Sequence, residues 1–173
     1  MTFREAFEDI ILPELVKAFK PIYLADTNSS DPIPPGDYVS LNIVSLTPQT
    51  GFGNITKKVV AAEDETFDSD ILEKRTTEDL LTVSFTAHAS SAEKSQEIAG
   101  WLHNAIGWVH EHDLYDYGYS LNIIQPLQNR TAYLIDDFTY RFGFDVGFLT
   151  ARTIERRTPT IEKIILNNEE VEL

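Results

Sequence analysis

From Asp137 to Phe148 the chain alternates without a fault. Phe138, Tyr140, Phe142, Phe144, Val146 and Phe148 take every second position, with Asp137, Thr139, Arg141, Gly143, Asp145 and Gly147 between them. Successive side chains of a strand point to opposite faces, so this is one long strand with an aromatic face and a polar one. An aromatic face of that size has to be covered. The least fold that covers it is a sheet with a second layer of secondary structure on one side.

The rest of the chain supplies both layers. Val39, Leu41 and Ile43 alternate with Ser40 and Asn42, which predicts a half-buried strand from Tyr38 to Thr47. Leu81, Val83, Phe85 and Ala87 alternate with Thr82, Ser84 and Thr86 in the same way. Lys57 to Ala62 reads as a further extended piece. Leu121 and Ile123 mark a strand closed by Pro126, and Ile161 to Leu166 a last one before Asn167-Asn168 turns into an acidic tail. Thr2 and Glu5 have the spacing of a capping box, and Phe3, Phe7, Ile10 and Ile11 form a helical stripe after it. Pro13 ends or kinks that helix, and Leu15, Val16 and Phe19 predict a second piece. Residues 26–36 hold Asn28-Ser29-Ser30 and three prolines, a loop composition. The clearest helix starts at a capping box on Ser90 and Glu93. Its stripe is Ile98, Trp101, Leu102, Ala105, Ile106 and Val109.

One segment resists placement in a core. Glu63 to Asp79 carries eight acids and two bases, so residues 48–79 are expected to form an extended acidic arm or long loop. The resulting expectation is α+β: a mainly antiparallel sheet with helices packed on one face, in a single domain over 1–173. A chain of 173 residues suits one domain.

Charge and composition narrow the function. Fourteen basic and 28 acidic side chains leave a formal net charge of −14. That balance opposes nucleic-acid binding, which draws on a surplus of Lys and Arg, and opposes docking on anionic membranes. There is no cysteine, so disulfides, thiolate metal sites and thiol nucleophiles are excluded. No apolar run is long enough to span a membrane. Arg4, Glu5, Glu8 and Asp9 break up the N-terminal apolar residues, which do not read as a signal peptide. A cytoplasmic product is expected.

Catalytic and ligand-binding patterns are missing. His103 and His110 stand ~10.5 Å apart along a helix axis and cannot share an ion. With His88 and His112 they read as solvated surface histidines, and no metal or cofactor is expected. Gly51-Phe52-Gly53 followed by Lys57 and Lys58 lacks the ending of a phosphate loop. Asp136-Asp137 and Asp113/Asp116 sit at element boundaries, where Asp is a common turn or cap residue. No Gly-x-Ser-x-Gly motif occurs. The chain does not read as an enzyme. One oddity is left on the second helix, where Gly100 and Gly107 lie opposite the apolar stripe with His103 and Asn104 between them. Each Gly costs about 1 kcal/mol relative to Ala in a helix interior. Tolerated drift on a solvated face explains them, and so does close approach of a neighbouring subunit. The second reading makes Gly100, His103, Asn104 and Gly107 candidate interface residues.

The order of motifs resembles a known family. Leu41-Asn42-Ile43-Val44-Ser45-Leu46-Thr47-Pro48 runs into Gly51-Phe52-Gly53. Arg75 and Thr82-Val83-Ser84-Phe85-Thr86 follow. Asp136 to Val146 comes after the Trp101/Trp108 helix, and Arg157-Thr158-Pro159-Thr160-Ile161-Glu162 closes the series. This resembles the tailed-bacteriophage neck or tail terminator proteins from about Tyr38 to Glu162. The resemblance implies a structural virion protein with an α+β fold, made in the host bacterial cytoplasm. It implies a ring, usually hexameric, that caps the tail tube and offers a surface to the head-side connector. The implied partners are further copies of the chain, tube and sheath proteins, and neck proteins, with DNA passing through the lumen unread. No catalytic residues carry over. The acidic charge alone supports a rival from another class, an inhibitor that mimics DNA in a basic groove.

Overall fold

The computed structural model describes residues 2–26, 35–49, 53–64, 69–134, 137–160, 163–166 and 169–172. Two short helices open the chain, α1 (Phe3–Ile10) and α2 (Leu12–Ala18). Thr2 caps the first: its Oγ1 accepts from the Glu5 amide at 3.3 Å, and its own amide donates to Glu5 Oε2 at 2.7 Å. Pro13 stands in the first turn of α2, where a missing backbone donor costs nothing. The strands β1 (Tyr23–Asp26), β2 (Tyr38–Pro48), β3 (Asn54–Ala61) and β4 (Ser69–Ala89) follow. Next come α3 (Ala92–Asn104), a π-helical turn at Ala105–Val109 and α4 (Glu111–Asp116). The chain then forms β5 (Tyr119–Ile124), β6 (Gln128–Asn129), β7 (Ala132–Leu134) and β8 (Asp137–Pro159). Strands β9 (Lys163–Leu166) and β10 (Glu169–Glu172) pair antiparallel with each other.

The main sheet runs β1-β2-β4-β8-β5, with β3 added on β4 and β6 and β7 on β8. Strand β1 lies parallel to β2, while β2 and β3 on β4, and β5, β6 and β7 on β8, are antiparallel. The expected α+β class holds. By contacts the chain divides into two compact units, Met1–Pro48 with Asp79–Thr150, and Gln49–Glu78 with Ala151–Leu173.

In the first unit the aromatic strand is inside. Phe144, Val146 and Phe148 are fully buried and Phe142 packs at the margin. The side chain of Phe138 lies outside the described residues. The odd-numbered residues of β4 share this face: Leu81, Val83, Phe85 and Ala87. Helical side chains cover it, with Phe3, Phe7, Ile11 and Leu15 from the first pair and Ile98, Leu102 and Ile106 from the second helical stretch. The rings meet at favourable separations: Phe3 to Phe148 at 4.8 Å, Phe7 to Phe85 at 5.4 Å and Phe85 to Phe144 at 5.5 Å.

The opposite face of the same strands is polar and is tied by Arg130. One guanidinium nitrogen donates to Ser84 Oγ at 2.7 Å and Thr86 Oγ1 at 3.1 Å, and the other to Asp145 Oδ1 at 2.8 Å. Burial pushes the Asp145 carboxyl up, and the bonds from Ser84 and Arg130 outweigh it and hold the group below its usual range. Gly143 makes this approach feasible. A Cβ there would stand 2.3 Å from the Phe85 carbonyl oxygen and 3.0 Å from the Arg130 guanidinium.

In the second unit much of 48–79, expected as an acidic arm or long loop, is strand. Strand β3 pairs with the start of β4 over eight residues, Asn54 opposite Thr76 to Ala61 opposite Ser69. The end of β8 lies on the other side of β4. Thr153 Oγ1 meets Thr76 Oγ1 at 3.1 Å, and the Thr160 hydroxyl donates to the Ser69 carbonyl at 2.8 Å. Of the acids, Asp70, Glu73, Glu78 and Asp79 are strand residues of β4, and bases on the adjoining strands pair with Glu73 and Asp70. Glu73 takes Lys57 at 2.6 Å on one side and Arg156 on the other, and Lys74 reaches Glu155 at 2.5 Å. The bond from Lys57 and then that from Arg156 hold the Glu73 carboxyl below its usual range. Residues 65–68, Gly51-Phe52 of the expected turn, Asn28 to Pro34 of the loop and Asn167-Asn168 before the tail lie outside the described residues.

Two outcomes follow from this packing. Phe144→Ala empties a site enclosed by Phe85, His103 and the helices, and its unfolding free energy in urea should fall by about 3–5 kcal/mol. Gly143→Ala should cost about 1–3 kcal/mol by overpacking against the Phe85 carbonyl, although it adds only one methyl.

Candidate subunit interface

The helical stretch from Ser91 to Tyr117 carries the residues that the sequence marks for contact. Ser91 caps it, rather than Ser90, its Oγ accepting from the Lys94 amide at 3.2 Å. The Ser90 amide instead donates to Asp37 Oδ1 at 3.1 Å. Ile98, Leu102, Ala105 and Ile106 are buried as the stripe predicts, with Trp101 half-buried. Val109 is not: it is 59% exposed. The reason is the π turn. The His110 amide donates to the Ala105 carbonyl at 2.8 Å, five residues back, so an extra residue enters the turn and the stripe loses its register.

That slip also turns His110 inward. It is buried, with Nδ1 2.8 Å from Asp113 Oδ2 and Nε2 3.2 Å from Glu14 Oε2. His88 is buried too, stacked on Tyr38 at 4.1 Å with Nε2 3.1 Å from Ser40 Oγ. Burial, with the Arg141 charge adding to it, pushes the His88 imidazole down to about 4. His103 sets its ring edge against Phe144 at 5.0 Å. Only His112 of the four is the exposed histidine expected. Sequence pattern could not reveal this, because the burial of His88 and His110 depends on Ser40 and Glu14, distant in the chain.

The four candidate residues lie along one side of the stretch. Asn104 is exposed, and Gly100, His103 and Gly107 are half-buried. Their cover is the chain's own. A Cβ on Gly100 would meet Leu127 Cδ1 at 3.9 Å, and one on Gly107 would meet Ile124 Cδ1 at 3.4 Å. The large apolar side chains exposed further along the stretch are Trp108, at 83%, Val109 and, on α4, Tyr115, at 65%. Trp108 falls off the helical stripe in the sequence, which was the available signal for it. Val109 and Tyr115 had none.

The stretch is also acidic. Glu111, Asp113 and Asp116 are exposed here, and no Lys or Arg occurs between Lys94 and Arg130. Glu111, His112, Tyr115, Ser120 and Leu121 line a shallow depression of about 260 Å³. The Asp113 carboxylate is engaged by His110, and Asp136 lies outside the described residues. Among the described residues no group of three or more His, Asp or Glu side chains could hold a metal ion, and no helix is long and apolar enough to cross a membrane. Along this stretch exposed apolar side chains and exposed carboxylates alternate in the sequence without a Lys or Arg among them.

A stability measurement separates the buried histidine from the carboxylates. The unfolded-state imidazole titrates near 6.5 and the folded one near 4, so the unfolded chain binds the extra proton between those values. Stability is whole above about pH 6.5 and falls by about 3 kcal/mol as the pH drops to about 4. Urea unfolding of the wild type should show that loss, and His88→Gln should flatten it over that window. The carboxyls held low by their partners, Asp145 and Glu73, act mainly below it.

No curated protein matches the chain. A family described as phage neck terminator protein matches residues 2–172, nearly the whole length. That match takes in the α+β fold, the aromatic strand and the paired β3 and β4 alike, and the chain belongs to the phage neck terminator protein family.

Proposed function

We propose that the chain is a ring subunit, with all of 1–173 acting as one subunit. Six copies close side by side, cap the tail tube and present a new face to the head-side connector. Membership of the phage neck terminator family supports a structural role at the phage neck. The observation that carries the step to a ring is Trp108. The largest side chain type in the chain stands 83% exposed beside Asn104, His103 and the two helix glycines. Exposed apolar surface of this kind marks a protein contact. A contact that is not two-fold leaves a free face on each end of a chain of copies, and closing into a ring is what satisfies every face. A ring of subunits at −14 each carries strong negative charge, and such a field keeps DNA from sticking as it passes through. Tube and sheath proteins below and connector proteins above are the neighbours of such a ring. Chemistry has no part in this mechanism; its working element is a matched diameter.

The purified protein should run in native mass measurement near six times 19.6 kDa, or reach that state on isolated tails. Asn104→Arg adds bulk and charge at an exposed position, so it should leave thermal unfolding of the subunit unchanged and abolish the ring. A wild-type chain that stays monomeric both free and on tails would overturn the ring, and salt-sensitive binding of that monomer to a basic protein would put the DNA-mimic reading in its place.

A further inference from the structure

The second unit presents a face whose chemistry is the complement of the Trp108 surface. Residues directly opposite in an antiparallel pair share a face. Ile55, Lys57 and Val59 on β3 therefore lie on one side with Arg75, Glu73 and Ile71 on β4. The bridge from Glu73 to Arg156 extends that side onto β8, where alternation adds Ile154. Ile55, Val59 and Ile154 are each more than half exposed. Among them stand Lys57, Arg75 and Arg156 against the single acid Glu73. On a chain at −14, this side is apolar and basic.

A three-stranded sheet with bare isoleucines and valines on one face lacks the cover that a sheet needs. The stretch from Trp108 to Asp116 carries the opposite sign: Trp108, Val109 and Tyr115 are exposed on it, as are Glu111, Asp113 and Asp116, with no base nearby in the sequence.

Resting on the ring reading above, we propose that the Ile55–Val59–Ile154 face of one copy docks on the Trp108–Tyr115 surface of the next copy. Lys57, Arg75 and Arg156 then face Glu111, Asp113 and Asp116 across an apolar centre. Two different surfaces meet, so the contact is head-to-tail, the kind that builds rings rather than two-fold dimers. Its ionic part should weaken with salt, since rim charges are screened.

The test reverses each half of the pair. Variant one carries Lys57→Glu and Arg75→Glu, leaving Arg156 to hold Glu73. Variant two carries Glu111→Lys and Asp116→Lys, leaving Asp113 to hold His110. Each variant alone meets like charge on like charge, and its assembly should weaken more than about tenfold relative to wild type. Mixed in equal amounts, every contact between unlike variants is attractive again, and alternating rings should return. That recovery also shows that both variants are folded. Trp108→Ala should weaken assembly of the otherwise wild-type chain without changing its melting temperature. If wild type forms rings and the two variants, folded by circular dichroism, form them equally well alone, the pairing of faces is wrong while the ring stands. Variants that lose the ring but fail to recover on mixing also overturn it, and so would Trp108→Ala at wild-type affinity. Loss of tail binding with intact rings would assign these faces to the tube or connector. A wild type that never forms a ring, free or on tails, removes the ring reading and this pairing with it.

Discussion

The packing of one aromatic row decides most of this structure. Phe144, Val146 and Phe148 on β8 and Phe85 on β4 form a surface that water cannot be left to cover. Burying each such side chain is worth about 1.5–3 kcal/mol, and only a helical layer on that side provides the burial. Phe3 and Phe7 reach it from the first helix, Ile98 and Leu102 from the third, and Ile106 from the π turn after it. The polar face is settled by the same alternation. Because the Phe residues are even-numbered, Gly143 and Asp145 point the other way, where Arg130 clamps Asp145 to Ser84 and Thr86. One register thus sets a dry side and a hydrogen-bonded side, and a slip by one residue would exchange them.

Legibility in the sequence follows the range of the interactions. The aromatic strand, the paired strands and the capped helices are local patterns, and they appear where periodicity puts them. The helix stripe is readable as far as Ile106 and fails at Val109, because the π turn is a local insertion with no mark in residue type. The acidic run 63–79 fails for a different reason. Its composition describes an isolated segment, whereas Glu73 is placed between Lys57 and Arg156, from strands distant in the chain. His88 and His110 are misjudged in the same way, each buried against a group far away in sequence. Of the four residues the sequence nominates on this helical stretch, Asn104 is exposed, while Gly100, His103 and Gly107 are half-buried against the chain's own side chains. Trp108 next to them is the residue that the structure adds.

Net charge hides a division of labour. Eight of the 14 Lys and Arg residues fall within 49–78 and 151–173, less than a third of the chain. A total of −14 therefore describes no particular face. Near the third and fourth helices it understates the local density of acids, and on the β3 side it has the wrong sign. Uniform acidity would make copies repel one another. Segregated acidity with a basic face elsewhere lets copies attract in one orientation and repel in others, which gives specificity as well as rate of encounter.

The edge of the second unit argues for which way a partner approaches. Among the described residues β3 pairs only with β4, so its outer edge carries unpaired backbone groups. Such an edge invites another strand to add on, and without a guard it would polymerise copies edge to edge. Here the edge strand carries adjacent lysines, Lys57 and Lys58, one to each face, and like charges directly opposite one another oppose pairing of that strand with its own copy. Edge addition between copies is thereby disfavoured, whereas the face with Ile55, Val59 and Ile154 has no such guard against an acidic surface. In the proposed pairing, cover for the sheet comes onto its face, from the stretch of the next copy on which Trp108 and Tyr115 are exposed.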